Sequence, residues 1–425
     1  MTENIQLAAG SGSSVVVNNC QISGSTDLQP ILFLGYLPPV NQMRSIGEPP
    51  QEQPAYPAQL LYCPESKLVQ IGLIVDPNIL FPPEYPYTSG TTKILRDNFA
   101  ELYQDCQTII PLTAEDLIVD IGSNDGTLLS NFHNGGHRVQ GIEPTQRGEI
   151  ANEKGIPTAI EFFGREIATK VKTEQGPAKV ITATNVFAHI ENVHEIVESI
   201  LLLLDDKGVF ISESHYLLSL VETLQYDTIY HEHLRYYSLQ SLEYLFNMHG
   251  LEVIHAKRIP THGGSIRVYA ARKGAYPIQP SVKNILDEEL AVDLNNQKLE
   301  EFKQKVVLSK LQLHSLLLDI KQQGHRIYGI GAPSRASTLI NYVGIDDSIL
   351  DCVVEVKGSY KTGKYMPGTL IPVIEETALF EEQPEYALLL SWHIAEELMP
   401  KLTQKGFKGK YIVPLPVPRI VEIQQ

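Results

Sequence analysis

The apolar run Leu117-Ile-Val-Asp-Ile121 passes directly into Gly122-Ser-Asn-Asp-Gly126 and then into a helix-like Thr-Leu-Leu. That order reads as a strand, a tight glycine turn and a helix N-terminus. Around it, strand-like runs at Leu117 to Ile121, Val139 to Ile142, Val180 to Thr184, Gly208 to Ser212 and Ile266 to Ala271 are separated by longer segments with helical spacing. Alternation of this kind builds a mainly parallel sheet covered by helices, so the pattern predicts an α/β fold.

At 425 residues the chain exceeds one ordinary core and should divide into two or three domains. Residues 1–90 are rich in Pro, Gly and Gln, with Leu37-Pro-Pro-Val40 and the proline-punctuated run from Pro49 to Pro57. They read as a small, loop-rich, mostly β module. Residues 91–275 carry the alternating pattern. Residues 276–425 open with a Leu-studded stretch from about Ser281 to Gln323, with Leu286, Leu290, Leu299, Phe302, Val306 and Leu313 at helical intervals and Gly324 as a stop. This predicts a long helix or a helix pair bridging domains. Strand-like Arg326 to Gly331, Leu350 to Val356, Tyr386 to Leu390 and Tyr411 to Pro414 follow and imply a second, smaller α/β domain.

The formal charge of −16 and pI near 5.3 argue against nucleic acid as a partner, which normally demands a basic face. The only cysteines are Cys20, Cys63, Cys106 and Cys352. The opening Met-Thr-Glu-Asn lacks a secretion signal, and no apolar run is long enough to cross a bilayer. The expectation is a cytoplasmic protein with no membrane association and no disulfides. Oligomeric state is not set by the sequence.

A glycine turn between strand and helix lets backbone approach a ligand, and the helix-start N–H groups favour an anionic or carboxylate group. The next strand, Val139-Gln-Gly-Ile-Glu143, ends in an acid about twenty residues after the turn, where a carboxylate can accept ribose hydroxyls. With Asp120 before the turn and Glu143 beyond it, a nucleoside cofactor is expected. The bland alternative is a tight connection. The turn lacks the third glycine of a dinucleotide fingerprint, and Asn124-Asp125 in its middle suit the amino-acid moiety of S-adenosylmethionine. A nicotinamide-dependent oxidoreductase remains the alternative enzyme class, and a non-catalytic cofactor-binding protein the alternative outside enzymes. Asn185 and His189 follow the strand ending near Thr184, at the carboxyl edge where ligands bind; His189 also reads as an ordinary helix-start histidine.

Tyr226-Asp-Thr-Ile-Tyr-His-Glu-His-Leu-Arg-Tyr-Tyr237 concentrates proton-handling groups that a plain surface loop has little reason to collect. A structural aromatic patch is the competing reading. Together with Val119-Asp-Ile-Gly-Ser-Asn-Asp-Gly-Thr-Leu128, Asn185-Val-Phe-Ala-His189, His262-Gly-Gly-Ser-Ile-Arg267, Tyr365-Met-Pro-Gly368 and Leu390-Ser-Trp-His393, it resembles the nucleotide-sugar C-methyltransferases, which methylate a deoxysugar ring carbon beside a ketone. The resemblance covers nearly the whole chain. It implies a small zinc-binding N-terminal module, a Rossmann-like S-adenosylmethionine domain, a C-terminal Rossmann-like domain that helps hold a nucleotide-sugar substrate, and a cofactor site including Gly122, Asn124, Gly126 and Leu128.

By the same resemblance His233 is the base, Glu232 its orienting or relaying partner, and Tyr230 and His189 bind substrate oxygens and the enolate. His231 is expected to be structural. Tyr85 and Tyr87 would cover the cofactor, or else fill a core. His262, Gly263, Gly264 and Arg267 combine flexibility with a cation and could approach a sugar or diphosphate, or form a β-bulge. Gly329, Gly331, Pro333 and Arg335 follow a strand and open a helix, an arrangement suited to phosphate but equally a plain turn. Lys361 and Tyr365 would complete the nucleotide pocket, or be a solvated lysine and a packed tyrosine. The family carries paired Cys-x-x-Cys motifs, whereas Cys20-Gln-Ile-Ser23 and Cys63-Pro-Glu-Ser66 keep one thiol each, so zinc is not expected here. Trp392-His393 and Val354-Glu-Val-Lys357 also depart from the family pattern and point to a different substrate.

Overall fold

The computed structural model describes residues 14–49, 51–81, 90, 92–294 and 296–422. Its central sheet has the spatial order Leu251–Ile259, Ser265–Arg272, Leu204–His215, Ala178–Thr184, Leu117–Ile121, Arg138–Ile142, Thr158–Ala159. The strands from Leu204–His215 through Thr158–Ala159 run parallel, and Ser265–Arg272 pairs antiparallel with both its neighbours. Leu117–Ile121 is buried along its whole length, as a central strand covered on both faces must be. From it the chain moves to Arg138–Ile142 on one side and later to Ala178–Thr184 on the other, so a crevice opens at the carboxyl ends of these strands.

Two glycines make that crevice possible. Gly122 sits at φ +67°, and a Cβ there would lie 2.4 Å from Val186 Cγ2. Gly126, at φ +74°, is the N-cap of helix Thr127–Asn134, a left-handed position that glycine occupies at little cost.

The N-terminal module contains a four-stranded sheet, Arg235–Tyr236, Leu68–Ile71, Tyr56–Cys63, Gln29–Leu37, and a short pair of Ser14–Val16 with Leu73–Val75. Its edge strand Arg235–Tyr236 belongs to the chemistry-rich segment, so that segment is stitched into the module. The predicted helical stretch is a pair, Pro280–Val292 and Asn296–Gln322, and Asp293 at φ +50° ends the first. Buried Glu289 on Pro280–Val292 accepts from the N–H groups of Leu239 and Gln240 and from Tyr216 Oη. It thereby places a carboxylate at the N-terminus of helix Leu239–Met248, where the helix dipole favours negative charge.

The C-terminal sheet has the order Lys364–Tyr365, Pro372–Glu375, Cys352–Glu355, Ile327–Ile330, Tyr386–Leu389, Lys410–Val413, Arg419–Val421, with five parallel inner strands and an antiparallel strand at each edge. Among the described residues no helix is long and apolar enough to cross a membrane.

Candidate active site

Every residue from Tyr226 to Tyr237 is buried. Within that segment His233 Nδ1 lies 2.7 Å from the carbonyl oxygen of Thr228, and His189 Nδ1 lies 2.6 Å from that of Glu232. A carbonyl oxygen only accepts, so both neutral rings carry their proton on Nδ1 and present Nε2 as an unprotonated acceptor. Burial pushes His233 well below the ordinary histidine range, and the neighbouring His189 adds to it. Burial likewise brings His189 down to about 4. The ring of Tyr230 is centred 4.2 Å from that of His233. Burial and the charge of Glu232 raise the Tyr230 phenol well above its usual value, so it stays a hydrogen-bond donor. Glu232 accepts from Asn41 Nδ2 at 2.7 Å, and Asn41 Oδ1 accepts from Ser334 Oγ at 3.3 Å. All three parts of the chain therefore meet at this carboxylate. His231 stands apart, packed on Tyr56 and donating to the Pro57 carbonyl.

At the cofactor turn, Glu143 Oε2 accepts from Asn124 N–H at 3.0 Å, while Oε1 accepts from Thr145 N–H at 2.9 Å and Thr145 Oγ1 at 2.6 Å. A carboxylate has about four lone-pair positions, so Oε2 retains capacity for one hydroxyl rather than the two anticipated. Among the described residues Ser123 Oγ and Asn185 Oδ1 are buried with no hydrogen-bond partner, and Asn185 holds a left-handed φ of +57°. Orphaned buried polar atoms are rare in folded proteins, and these fit a polar ligand lying over the turn.

Asp120 and Leu128 do not line this crevice. Asp120 accepts from Thr182 Oγ1 beneath it, with burial raising its carboxyl to about 7. Leu128 lies in the apolar layer with Leu95 and Phe99, because the inward face of helix Thr127–Asn134 turns toward helix Lys93–Ile109. Tyr85 and Tyr87 lie outside the described residues. Replacing Glu143 by Ala should weaken S-adenosylhomocysteine binding roughly 10- to 100-fold, the worth of one lost hydrogen bond to a charged acceptor. Calorimetry showing equal affinity in both proteins would remove Glu143 from the cofactor site.

The predicted substrate-side residues are only partly available. Arg267 is fully buried, donating to Glu213 at 2.6 Å, to Asp105 at 2.8 Å and to Asn98 Oδ1 at 2.8 Å. Its guanidinium holds the antiparallel strand to helix Lys93–Ile109 and is committed to these partners. Arg335 is likewise committed, bidentate to Asp227 at 2.8 Å through both Nε and Nη2, with its guanidinium over the Trp392 ring.

In the turn opened by Gly329, Gly331 and Pro333, the Ala332 N–H already donates to Glu355 and Lys361 Nζ donates to the Ala332 carbonyl. A carboxylate thus occupies the place expected for phosphate. Gly329 is a packing glycine, since a Cβ would lie 2.9 Å from Val353, and at Gly331 one would lie 2.8 Å from Ser391 Oγ. Tyr365 stacks under Arg44 and donates its N–H to the Arg44 carbonyl, clasping the N-terminal module. Gly263 and Gly264 let their loop press against Gln225 and Ser219. Of this group His262 alone joins the histidine cluster.

That cluster holds residues the sequence pattern did not single out. His215, at the end of strand Leu204–His215, has its ring 4.7 Å from His233 and 5.6 Å from His262. Among the described residues His393 Nδ1 and His262 Nε2 are buried without a partner, and both rings are pushed down by burial, to about 2 and about 4. His215 stands three residues past the recognised strand core, a position at the sheet's carboxyl edge that could have drawn notice. Asn41 and Asp227 gave no comparable signal.

Family models match the chain along its length: "Methyltransferase domain" over residues 94–256, "C-methyltransferase C-terminal domain" over 260–416 and "Putative zinc binding domain" over 20–81. With the glycine turn, the acid-ended second strand and the parallel sheet, the first match decides the cofactor left open above: the protein is an S-adenosylmethionine-dependent methyltransferase. The C-methyltransferase NovU of Streptomyces niveus is 30% identical over 414 residues, covering 96% of this chain and 98% of that protein. The chain belongs to this C-methyltransferase family. Solved structures with partial likeness include an S-adenosylmethionine-dependent methyltransferase from Anabaena variabilis (18% identity, 40% of this chain, 84% of that chain, TM-score 0.32) and magnesium protoporphyrin IX methyltransferase from Synechocystis (12%, 42%, 79%, TM-score 0.32).

Proposed function

We propose that this enzyme methylates a ring carbon next to a ketone on a nucleotide-linked deoxysugar, through an enolate formed by His233. The observation that carries the reading is the Thr228 carbonyl on His233 Nδ1, which leaves Nε2 as a neutral base within a buried cluster of histidine and tyrosine rings. S-adenosylmethionine, when bound, would supply an electrophilic methyl group with a neutral thioether as leaving group. Glu143, Asn124, Asn185 and Ser123 are the groups that hold it.

The chain's own residues perform the proton chemistry. His233 Nε2 takes the proton from the carbon, and the C–H electron pair becomes the enolate. Tyr230 donates to the enolate oxygen, which is the task of a preorganised donor. His189, its Nδ1–H donating to the Glu232 carbonyl, offers Nε2 as an acceptor and suits a substrate hydroxyl rather than the enolate. Glu232, fixed by Asn41, orients the segment between them.

The test is a panel of nucleoside-diphosphate keto-deoxysugars incubated with enzyme and S-adenosylmethionine. The expected product gains one methylene in mass and loses the hydrogen alpha to the ketone. Methylation on an oxygen or nitrogen with any of these substrates would refute the enolate route.

A further inference from the structure

The four positions Cys20, Ser23, Cys63 and Ser66 come together in the folded chain, although they lie in two loops some forty residues apart in sequence. Cys20 Sγ is 3.1 Å from Ser66 Oγ, and Ser23 Oγ is 3.6 Å from Cys63 Sγ. The N–H groups of Ile22 and Ser23 both point at Cys20 Sγ at 3.4 Å. This is the crossed, four-cornered arrangement of a structural zinc site, in the segment that matches a zinc-binding family model. The donor set does not fit the metal. Structural zinc takes four firm thiolate or imidazole ligands, its ligands must be deprotonated, and two of the four corners here are serine hydroxyls that stay protonated near neutrality. Among the described residues no group of three or more His, Cys, Asp or Glu is placed to hold a metal.

What closes the loops is visible in their contacts. Each hydroxyl faces a thiol across the diagonal, and Cys63, although burial raises it, is held below its ordinary value by hydrogen bonds from Ser66, Ser23 and Cys20. The first loop has further anchors. Gln21 N–H donates to Gln70 Oε1 at 2.8 Å, Arg235 donates to Gln21 Oε1 at 2.5 Å, and His194 Nε2 donates to the Ile22 carbonyl at 2.8 Å. The last two come from the methyltransferase domain, so docking of the module supplies constraint that a metal would otherwise give.

We propose that the N-terminal module is closed by a metal-free thiol–hydroxyl cluster of Cys20, Ser23, Cys63 and Ser66, and that these four positions retain the geometry of a zinc site. Full-length protein purified without chelator should carry far less than one zinc per chain by elemental analysis, and its melting temperature should not change with a strong chelator. The variant Ser23→Cys/Ser66→Cys should take up one zinc per chain, melt higher with zinc, and lose that gain on chelation. Cobalt(II) in place of zinc should give the thiolate charge-transfer absorption of a four-sulfur site.

Stoichiometric zinc in the wild type, or unfolding by chelator, overturns the metal-free assignment. A well-folded double variant that binds no metal overturns the retained geometry. If the double variant does not fold, Ser66→Ala decides the cluster's role. It should melt a few degrees lower through loss of the buried partner of Cys20, and an unchanged melting temperature would refute the hydrogen-bonded closure. None of these readouts depends on the substrate.

Discussion

His233→Ala is expected to slow methyl transfer by roughly 10²–10⁴-fold, the contribution of a positioned base, while S-adenosylhomocysteine affinity stays near that of the wild type. The same substitution should abolish exchange of the substrate's alpha hydrogen with deuterated water in the absence of methyl donor. The structure adds a sharper expectation. Because burial holds His233 well below the ordinary histidine value, the base is fully unprotonated near neutrality, and the acid limb of kcat should lie below the pH at which a free histidine titrates. A base of lowered pKa is also a weaker one, so proton removal leans on stabilisation of the enolate by Tyr230. Tyr230→Phe should therefore lose activity on a similar scale. Near wild-type exchange and methylation in His233→Ala would move the base to another group, with His215, whose ring lies 4.7 Å away, the first to test.

Local pattern revealed the elements but not their partners. The runs Leu117–Ile121, Val139–Ile142 and Val180–Thr184 lie within strands as read, because each carries the Val, Ile or Leu that a parallel strand covered on both faces favours. Leu251–Ile259 went unread because Glu252, His255, Lys257 and Arg258 interrupt its apolar residues, as a strand at the sheet edge tolerates. His233, Glu232, Tyr230 and His189 do converge, and the glycine turn does face the acid of the next strand.

The misassigned residues share one cause. Arg267 and Arg335 look like free cations along the chain, but their carboxylate partners Glu213 and Asp227 lie 54 and 108 residues away, a distance that no spacing rule spans. The Gly329–Pro333 turn has the form of a phosphate cradle, yet Glu355 from the adjacent strand already takes its Ala332 N–H. A sequence shows which groups can bind an anion; only the fold shows which have already bound one.

Acidification should destabilise this protein sharply, through histidines that the fold keeps neutral. Eight are shifted downward, chiefly by burial: the less enclosed His249 and His255, and the interior His189, His215, His231, His233, His262 and His393, of which three go to about 4 and His393 to about 2. In the unfolded chain each titrates near 6.5. Below that pH the unfolded chain takes up protons that the native chain refuses, so stability is present above 6.5 and is lost as pH falls toward the native values. Each such histidine costs about 1 kcal/mol between pH 6.5 and 5.5. Asp120, raised to about 7, and Glu213, Glu243 and Glu289, also raised by burial, act in the opposite direction because the native state holds their protons more firmly. The histidines outnumber these carboxylates, so the balance is a net loss of stability as pH falls from 6.5 to 5.5. Thermal melts should accordingly fall by several degrees between pH 6.5 and 5.5. His231 offers a control, since it packs on Tyr56 away from the reacting groups: His231→Gln should reduce the pH slope by about one proton without altering the acid limb of kcat. A melting temperature flat from pH 7 to 5 would mean that these imidazoles are open to water and that the pocket holding His233 is not dry.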